Sequence, residues 1–408
     1  MGSAGTLALR WLHPDGRVGG RVNGGPDDGE VRWVDGHVLG DELDPTTLAP
    51  FSTGPARVAT CPASRSLGGR CGGCDLDRWL PDVRHHALAA MVARAYRLDD
   101  PPPVVPSPRD HGTRARIQLT IDEGRIGFRA PGTHDLVPVD DCELGRPELR
   151  AAIRALAPHR LPDTVDRVEL RSDGERVVFA FRRRKGARGP VELPELGDVA
   201  LDGRAVAGDP TLWLPHVGRS LRASPLSFYQ VHLELNRALV EAVTGHVQAV
   251  EPERVLDLYA GIGNFSVPLA EAGIPVEAVE LEGQATADLA HTASGLPVVV
   301  TTTPAERFDP QSTPFDVAVL DPPRAGAGEV MDRVLRSRPR RVVHVACDPV
   351  AGARDVARAR KQGYAVASVQ LFDLFPRTHH VETVTVLDRG SAPPPRPRRA
   401  PTKRRRRR

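Results

Sequence analysis

The stretch Val255-Leu256-Asp257-Leu258-Tyr259-Ala260-Gly261-Ile262-Gly263-Asn264-Phe265-Ser266 decides the fold. It reads as a buried strand, a glycine turn and the start of a helix. That unit opens a doubly wound α/β sheet and receives a ligand at the carboxyl end of its first strand. Outward from it, beginning near Phe228, helical stretches alternate with solid apolar runs at Arg254–Leu258, Val276–Glu280, Phe315–Asp321 and Arg341–Val345. Continuous apolar runs between helices belong to a parallel sheet covered on both faces. Glu280 closes the second strand where an acid can accept both hydroxyls of a ribose, and Asp321-Pro322-Pro323-Arg324 ends a third over the same crevice. The turn lacks the third glycine of a dinucleotide fingerprint, so turn and acids together fit S-adenosylmethionine better than NAD.

Upstream the pattern is different. Residues 1–55 are Gly-rich and polar, with short alternations at Val31–Val34 and His37-Val38-Leu39, a small β-module. Residues 56–225 form a central, β-rich region: a cysteine loop from Cys61 to Cys74, an apolar helix at Val83–Tyr96, and strands at Ala115–Ile121 and Arg125–Arg129 around an Asp122-Glu123-Gly124 turn. A further strand at Arg176–Phe181 runs into a basic loop, Arg182–Lys185. Residues 226–389 are the α/β domain. The tail, 390–408, holds nine Lys/Arg and no acid, so a chain with formal charge +3 is net acidic elsewhere. Such a tail is expected to be disordered and able to hold RNA by counterion release. No internal repeat appears. No run of ~18 apolar residues exists to span a bilayer, and Met1–Arg10 lacks the features of a secretory signal, which places the protein in the cytoplasm without membrane partners. Nothing in the chain speaks to oligomeric state.

Two side chains invite chemistry. Cys347 stands at the end of the strand Val342–Ala346, just before a helix over Val350–Gln362, where backbone N–H groups would favour its thiolate. Glu382 lies in the apolar strand region Leu371–Val384, either as an exposed strand residue or half buried, and in the second case burial would raise its pKa and make it a usable base. The other cysteines, Cys61, Cys71, Cys74 and Cys142, suit a metal site better than disulfides in a cytosolic chain. Zinc and an iron–sulfur cluster both remain open on spacing alone, although only one Cys-x2-Cys knuckle is present for zinc.

The motifs Asp257–Phe265, Asp321-Pro322-Pro323-Arg324-Ala325-Gly326, Cys347-Asp348-Pro349 and Phe375–Val384 resemble, in order, those of the RNA uracil-5-methyltransferases, and the resemblance spans roughly residues 56–389. It implies a C-terminal Rossmann-like class I methyltransferase domain that methylates carbon 5 of a uridine in RNA, ribosomal RNA ahead of transfer RNA. Cys347 would add to carbon 6 and Glu382 would remove the carbon 5 proton. S-adenosylmethionine would be held by Gln230, Tyr259, Asn264, Glu280 and Asp321, with Asp321 also close to the target base. For the ribosomal-RNA branch it implies a [4Fe-4S] cluster on Cys61, Cys71, Cys74 and Cys142, preferred over zinc, in the central domain. Residues 1–55 resemble a shortened TRAM module, with Val34–Glu42 as the best match. Ala346-Cys347-Asp348-Pro349 stands where the family has Ser-Cys-Asn-Pro. Phe128 and Phe228 are the candidate platforms for stacking a base, in a chain with 4% aromatics. Two rivals remain: an amino-methyltransferase that uses Asp321-Pro322-Pro323-Arg324 alone, and an iron–sulfur RNA-binding protein without transfer activity.

Overall fold

The computed structural model describes residues 6–390 apart from 25, 36, 49, 53, 55–60, 64–68 and 313, so the basic tail, most of it beyond 390, lies outside the described residues. Five strands come first: β1 (Thr6–Leu12), β2 (Val18–Asn23), β3 (Val31–Val34), β4 (Glu42–Leu43) and β5 (Pro50–Ser52), an antiparallel sheet in the order β3-β2-β1-β4-β5. The His37-Val38-Leu39 alternation is not a strand. There the buried Asp41 carboxylate accepts the Val38 N–H at 2.9 Å and curls the backbone into a turn.

Helix α1 (Pro81–Tyr96) starts on a proline, whose missing N–H costs nothing at that position, and ends where Arg97 turns left-handed at φ 55°. After β6 (Val104–Val105) come β7 (Arg116–Asp122), β8 (Arg125–Arg129), β9 (Leu136–Pro138), α2 (Pro147–Leu156), β10 (Val165–Ser172), β11 (Val177–Arg183), β12 (Asp198–Leu201) and β13 (Arg204–Ala207). The seven strands from β7 to β13 form one sheet, β13-β12-β11-β10-β7-β8-β9. Helix α2 buries Leu149, Ile153 and Leu156 against Ile117, Leu119, Val168 and Leu170 of that sheet. Arg182 and Arg183, expected in a loop, instead extend β11.

The hairpin β14 (Leu212–Leu214) and β15 (Leu221–Ala223) leads to α3 (Leu233–Gln248) and then the α/β unit: β16 (Val255–Leu258), α4 (Ser266–Glu271), β17 (Val276–Glu280), α5 (Gly283–Thr292), β18 (Val298–Thr302), β19 (Val317–Leu320), α6 (Glu329–Arg336), β20 (Arg341–Ala346), α7 (Pro349–Lys361), β21 (Tyr364–Phe372) and β22 (Glu382–Arg389). The sheet order is β18-β17-β16-β19-β20-β22-β21-β6, and only β22 runs against the others. Every residue of β16 and β19 is buried, which is why these strands read as solid apolar runs rather than alternations. The strand direction of growth reverses between β16 and β19, the switch point where ligands bind. Leu371–Val384, read as one strand region, is two strands joined by a loop over 373–381, broken where Pro376 has no N–H to give a ladder and Arg377 adopts φ 63°.

Helix α1 and strand β6 belong to this sheet's surroundings rather than to the seven-stranded one. Leu371 and Phe372 of β21 pair with Val104 and Val105. Leu88, Met91, Val92 and Tyr96 of α1 share a core with Leu7 and Leu9 of β1 and with Val356 and Ala359 of α7. Among the described residues no helix is long and apolar enough to cross a membrane.

Candidate active site

Tyr259 leaves β16 in the left-handed region, φ 64°, and Gly261 and Gly263 follow at φ 55° and 97°. A side chain on Gly263 would come within 2.8 Å of Val267 and closer still to Leu289, so this glycine lets the turn seat on α4 and α5. A side chain on Gly261 would meet nothing, so its face is open to a ligand. The turn borders a cleft of about 510 Å³ lined by Phe228, Gln230, Asn236, Tyr259, Asn264 and Asp321 among others. Four of the five expected cofactor residues therefore meet at one place. The fifth, Glu280, joins them through the backbone: its carboxylate accepts the N–H of Gly261 at 2.9 Å, of Leu281 at 2.7 Å and of Glu282 at 2.9 Å.

Several side chains that the sequence reading missed hold this cleft. Asn264 and Asn236 exchange two amide hydrogen bonds, 2.8 and 3.1 Å, and His216 lies 3.1 Å from Asn264 Oδ1. No sequence pattern links positions so far apart. The segment Ser224–Gln230 is clamped from two sides. Buried Asp288 of α5 accepts from the Ser224 N–H and from the Ser224 and Ser227 hydroxyls, and buried Arg171 of β10 donates to the Pro225 and Ser227 carbonyls. Phe228 is thereby left 53% exposed beneath the Arg116 guanidinium, 4.4 Å from its ring centroid, whereas Phe128 packs against the core of the seven-stranded sheet.

The chemistry-bearing pair sits beside the cleft. Ala346 of β20 pairs with Thr383 of β22, which puts Cys347 and Glu382 together one rung beyond the end of that ladder. Glu382 is 1% exposed, and burial, then Asp321, push its carboxyl well above the ordinary value, Arg324 opposing. Its Oε1 has no hydrogen-bond partner among the described residues. Asp321 is pushed up to about 7 by burial. Asp321 thus both lines the cofactor cleft and faces Glu382 and Cys347. Cys347 departs from expectation. Burial, followed by Glu382 and Asp321, raises its thiol to about 12, and Arg324 only partly compensates. The helix amides expected to stabilise a thiolate are already taken, because Asp348 Oδ1 accepts the N–H groups of Val350 and Ala351 at 2.9 and 2.8 Å. Arg324, quoted in a motif but given no role, is a cation that acts on both groups.

The four remaining cysteines are free thiols. Cys61, Cys71 and Cys74 each act electrostatically on neighbouring thiols or are acted on by Cys142, and burial raises Cys71, Cys142 and, to about 12, Cys74, with Arg114 opposing in each case. They converge, yet among the described residues no three His, Cys, Asp or Glu side chains form a ready metal-holding group.

A switch-point cleft on an eight-stranded α/β sheet in which one reversed strand, β22, lies between β20 and β21 defines an α/β methyltransferase. The tRNA (uracil-54, C5)-methyltransferase of Pyrococcus abyssi, solved with S-adenosyl-L-homocysteine, has the same fold, with a TM-score of 0.74 over 95% of this chain and 100% of that one at 23% identity. Residues 306–390 match the family model described as tRNA (Uracil-5-)-methyltransferase. The 23S rRNA (uracil(1939)-C(5))-methyltransferase RlmD of Dichelobacter nodosus is 30% identical over 371 residues, 82% of this chain and 85% of that protein. An uncharacterized RNA methyltransferase of Streptomyces avermitilis is 29% identical over 94% of this chain and 92% of its own length. The chain belongs to the RNA uracil-5-methyltransferase family, enzymes that use S-adenosylmethionine.

Proposed function

We propose that this protein methylates carbon 5 of a uridine in ribosomal RNA through a covalent adduct on Cys347. The observation that carries the reading is the placement of one thiol and one buried, proton-hungry carboxyl side by side at the end of β20 and β22, next to an acid that also lines the cofactor cleft. S-adenosylmethionine supplies an electrophilic methyl group. Carbon 5 of uracil is too weak a nucleophile to accept it unaided, so Cys347 gives up its thiol proton to solvent, its Sγ bonds to carbon 6 and the displaced electron pair makes carbon 5 nucleophilic. Carbon 5 takes the methyl group, Glu382 accepts the carbon 5 proton, and the electrons of that C–H bond restore the ring double bond as the carbon 6–sulfur bond breaks. Gln230, Tyr259, Asn264, Glu280 and Asp321 hold the cofactor in this scheme, and the target base leaves its stack to enter.

The raised thiol fits the order of events. A Cys347 held as a thiol is quiescent until a bound cation and a seated base offset the two carboxylates beside it. Ribosomal RNA is favoured over transfer RNA by the 30% identical relative named for 23S rRNA and by the four extra cysteines. We read Cys61, Cys71, Cys74 and Cys142 as ligands of a [4Fe-4S] cluster with a structural duty in a central domain, and the five-stranded sheet of β1–β5 as a TRAM-like holder of RNA. Four soft thiols in mutual electrostatic reach suit iron–sulfur chemistry, and no step of the methyl transfer needs them.

The test is quantitative nucleoside mass spectrometry of separated ribosomal and transfer RNA from cells lacking the gene, complemented with the intact protein or with Cys347→Ala. Loss of 5-methyluridine from ribosomal RNA, restored by the intact protein alone, is the expected result. Restoration by Cys347→Ala would overturn the adduct and favour a transfer that runs on Asp321-Pro322-Pro323-Arg324 alone. Unchanged 5-methyluridine in every fraction, with the cofactor still bound, would favour an RNA-binding protein without transfer.

A further inference from the structure

Tyr96 closes α1, far in sequence from every motif above, and its ring is buried. Its hydroxyl lies 3.0 Å from Thr383 Oγ1, and Thr383 Oγ1 in turn donates to the Ala346 carbonyl at 3.2 Å. The threonine has one proton and spends it on Ala346, so the tyrosine is the donor in the first bond. Thr383 follows Glu382 and Ala346 precedes Cys347, so this chain of two hydrogen bonds ties together the last rung of β20 and β22, the rung directly before both reacting groups. The space for it is specific. A Cβ at Gly352 of α7 would overlap the Tyr96 hydroxyl, so only glycine there lets the ring reach the strands. The backbone ladder already pairs Ala346 with Thr383, and a hydroxyl chain adds nothing to the count of strand bonds; what it adds is a fixed lateral position for the strand ends against α1 and α7.

Resting on the roles given to Cys347 and Glu382, we propose that Tyr96 and Thr383 are positioning residues that set the separation of nucleophile and base through the Tyr96–Thr383–Ala346 chain. Neither residue lines the cleft beside the glycine turn. Tyr96→Phe and Thr383→Val each remove one hydroxyl without changing shape, and Thr383→Ser keeps the hydroxyl.

The experiment compares kcat, KM for S-adenosylmethionine and melting temperature of the full-length protein carrying each variant, alongside Cys347→Ala. Misplacing reacting groups by a fraction of an ångström is worth about tenfold or more in kcat, so Tyr96→Phe and Thr383→Val are expected to lose about tenfold with KM for the cofactor unchanged. The double variant is expected to be no worse than Thr383→Val, because both cut the same chain, and Thr383→Ser is expected to keep wild-type turnover. Wild-type kcat in both single variants, with Cys347→Ala inactive, would overturn this inference and leave the adduct mechanism standing. Full activity in Cys347→Ala would overturn the mechanism and this inference with it. A drop in melting temperature and cofactor affinity with kcat retained would assign the chain to folding alone and equally overturn it.

Discussion

Asp257 illustrates how the site is tuned one residue at a time. It is wholly buried, Ser266 Oγ donates to its Oδ2 at 2.5 Å, its Oδ1 has no partner, and burial lifts its carboxyl from 3.8 to about 7. The folded protein therefore binds this proton more tightly than the unfolded chain does. Its contribution is fully present below the unfolded value and is lost as pH rises through about 7, a change of about 4 kcal/mol in all. Asp257→Asn is expected to flatten the fall of melting temperature between about pH 4 and pH 7, as calorimetric scans would record; an unchanged slope would assign the fall to other groups. Glu382 supplies a second prediction. An amide there cannot take the carbon 5 proton, so Glu382→Gln is expected to cut turnover by about 100-fold or more and to accumulate RNA covalently joined to the protein on denaturing gels. A gel with free RNA only would argue against Glu382 as the base. Glu382 was legible because an acid among Val381, Thr383 and Val384 is a local anomaly. The state of Cys347 was not legible, since the carboxyl groups that raise it, Glu382 of β22 and Asp321 just beyond β19, are remote from it in sequence, even though Asp348, which occupies the helix amides, is the next residue.

At the scale of elements, the glycine turn after β16 is where sequence and geometry meet most closely. Gly263 has φ 97° and two side chains against it, so Gly263→Ala is expected to cost about 1–3 kcal/mol of stability and to weaken cofactor binding together, measurable by thermal unfolding and titration calorimetry. Gly261→Ala, with φ 55° and open space around it, serves as the comparison: its effect should fall more on cofactor affinity than on packing. Equal effects from the two would show that backbone strain, not contact with Leu289 and Val267, governs both. Solid apolar runs gave away the parallel strands, but the break of Leu371–Val384 into β21 and β22 was hidden, because both arms are apolar and the intervening Pro376 reads equally well as a sheet-edge residue. Helix α1 was readable as a helix, though not which sheet it would cover.

Across the whole molecule, three sheets are held in register by contacts that no local pattern announces. Arg171 of the seven-stranded sheet donates into the segment that forms the cofactor cleft, and α1 joins the N-terminal sheet to α7. The cysteines belong to this scale as well. Protein purified without oxygen is expected to carry roughly four iron atoms and four sulfides per chain, and Cys142→Ser is expected to lose them, as iron and sulfide assays would measure. Stoichiometric zinc with no iron would overturn the cluster. The sequence by itself determined the α/β core and its glycine turn and singled out Cys347, Glu382 and Asp321 as candidates, because buried strands and glycine turns are written in short-range patterns of side chains. Only the tertiary structure brings Asn236, His216, Arg171 and Asp288 around that cleft and buries Cys347 beside two carboxyl groups. These outcomes depend on desolvation and on hydrogen bonds between residues tens to hundreds of positions apart, and such terms exist only once the chain is folded.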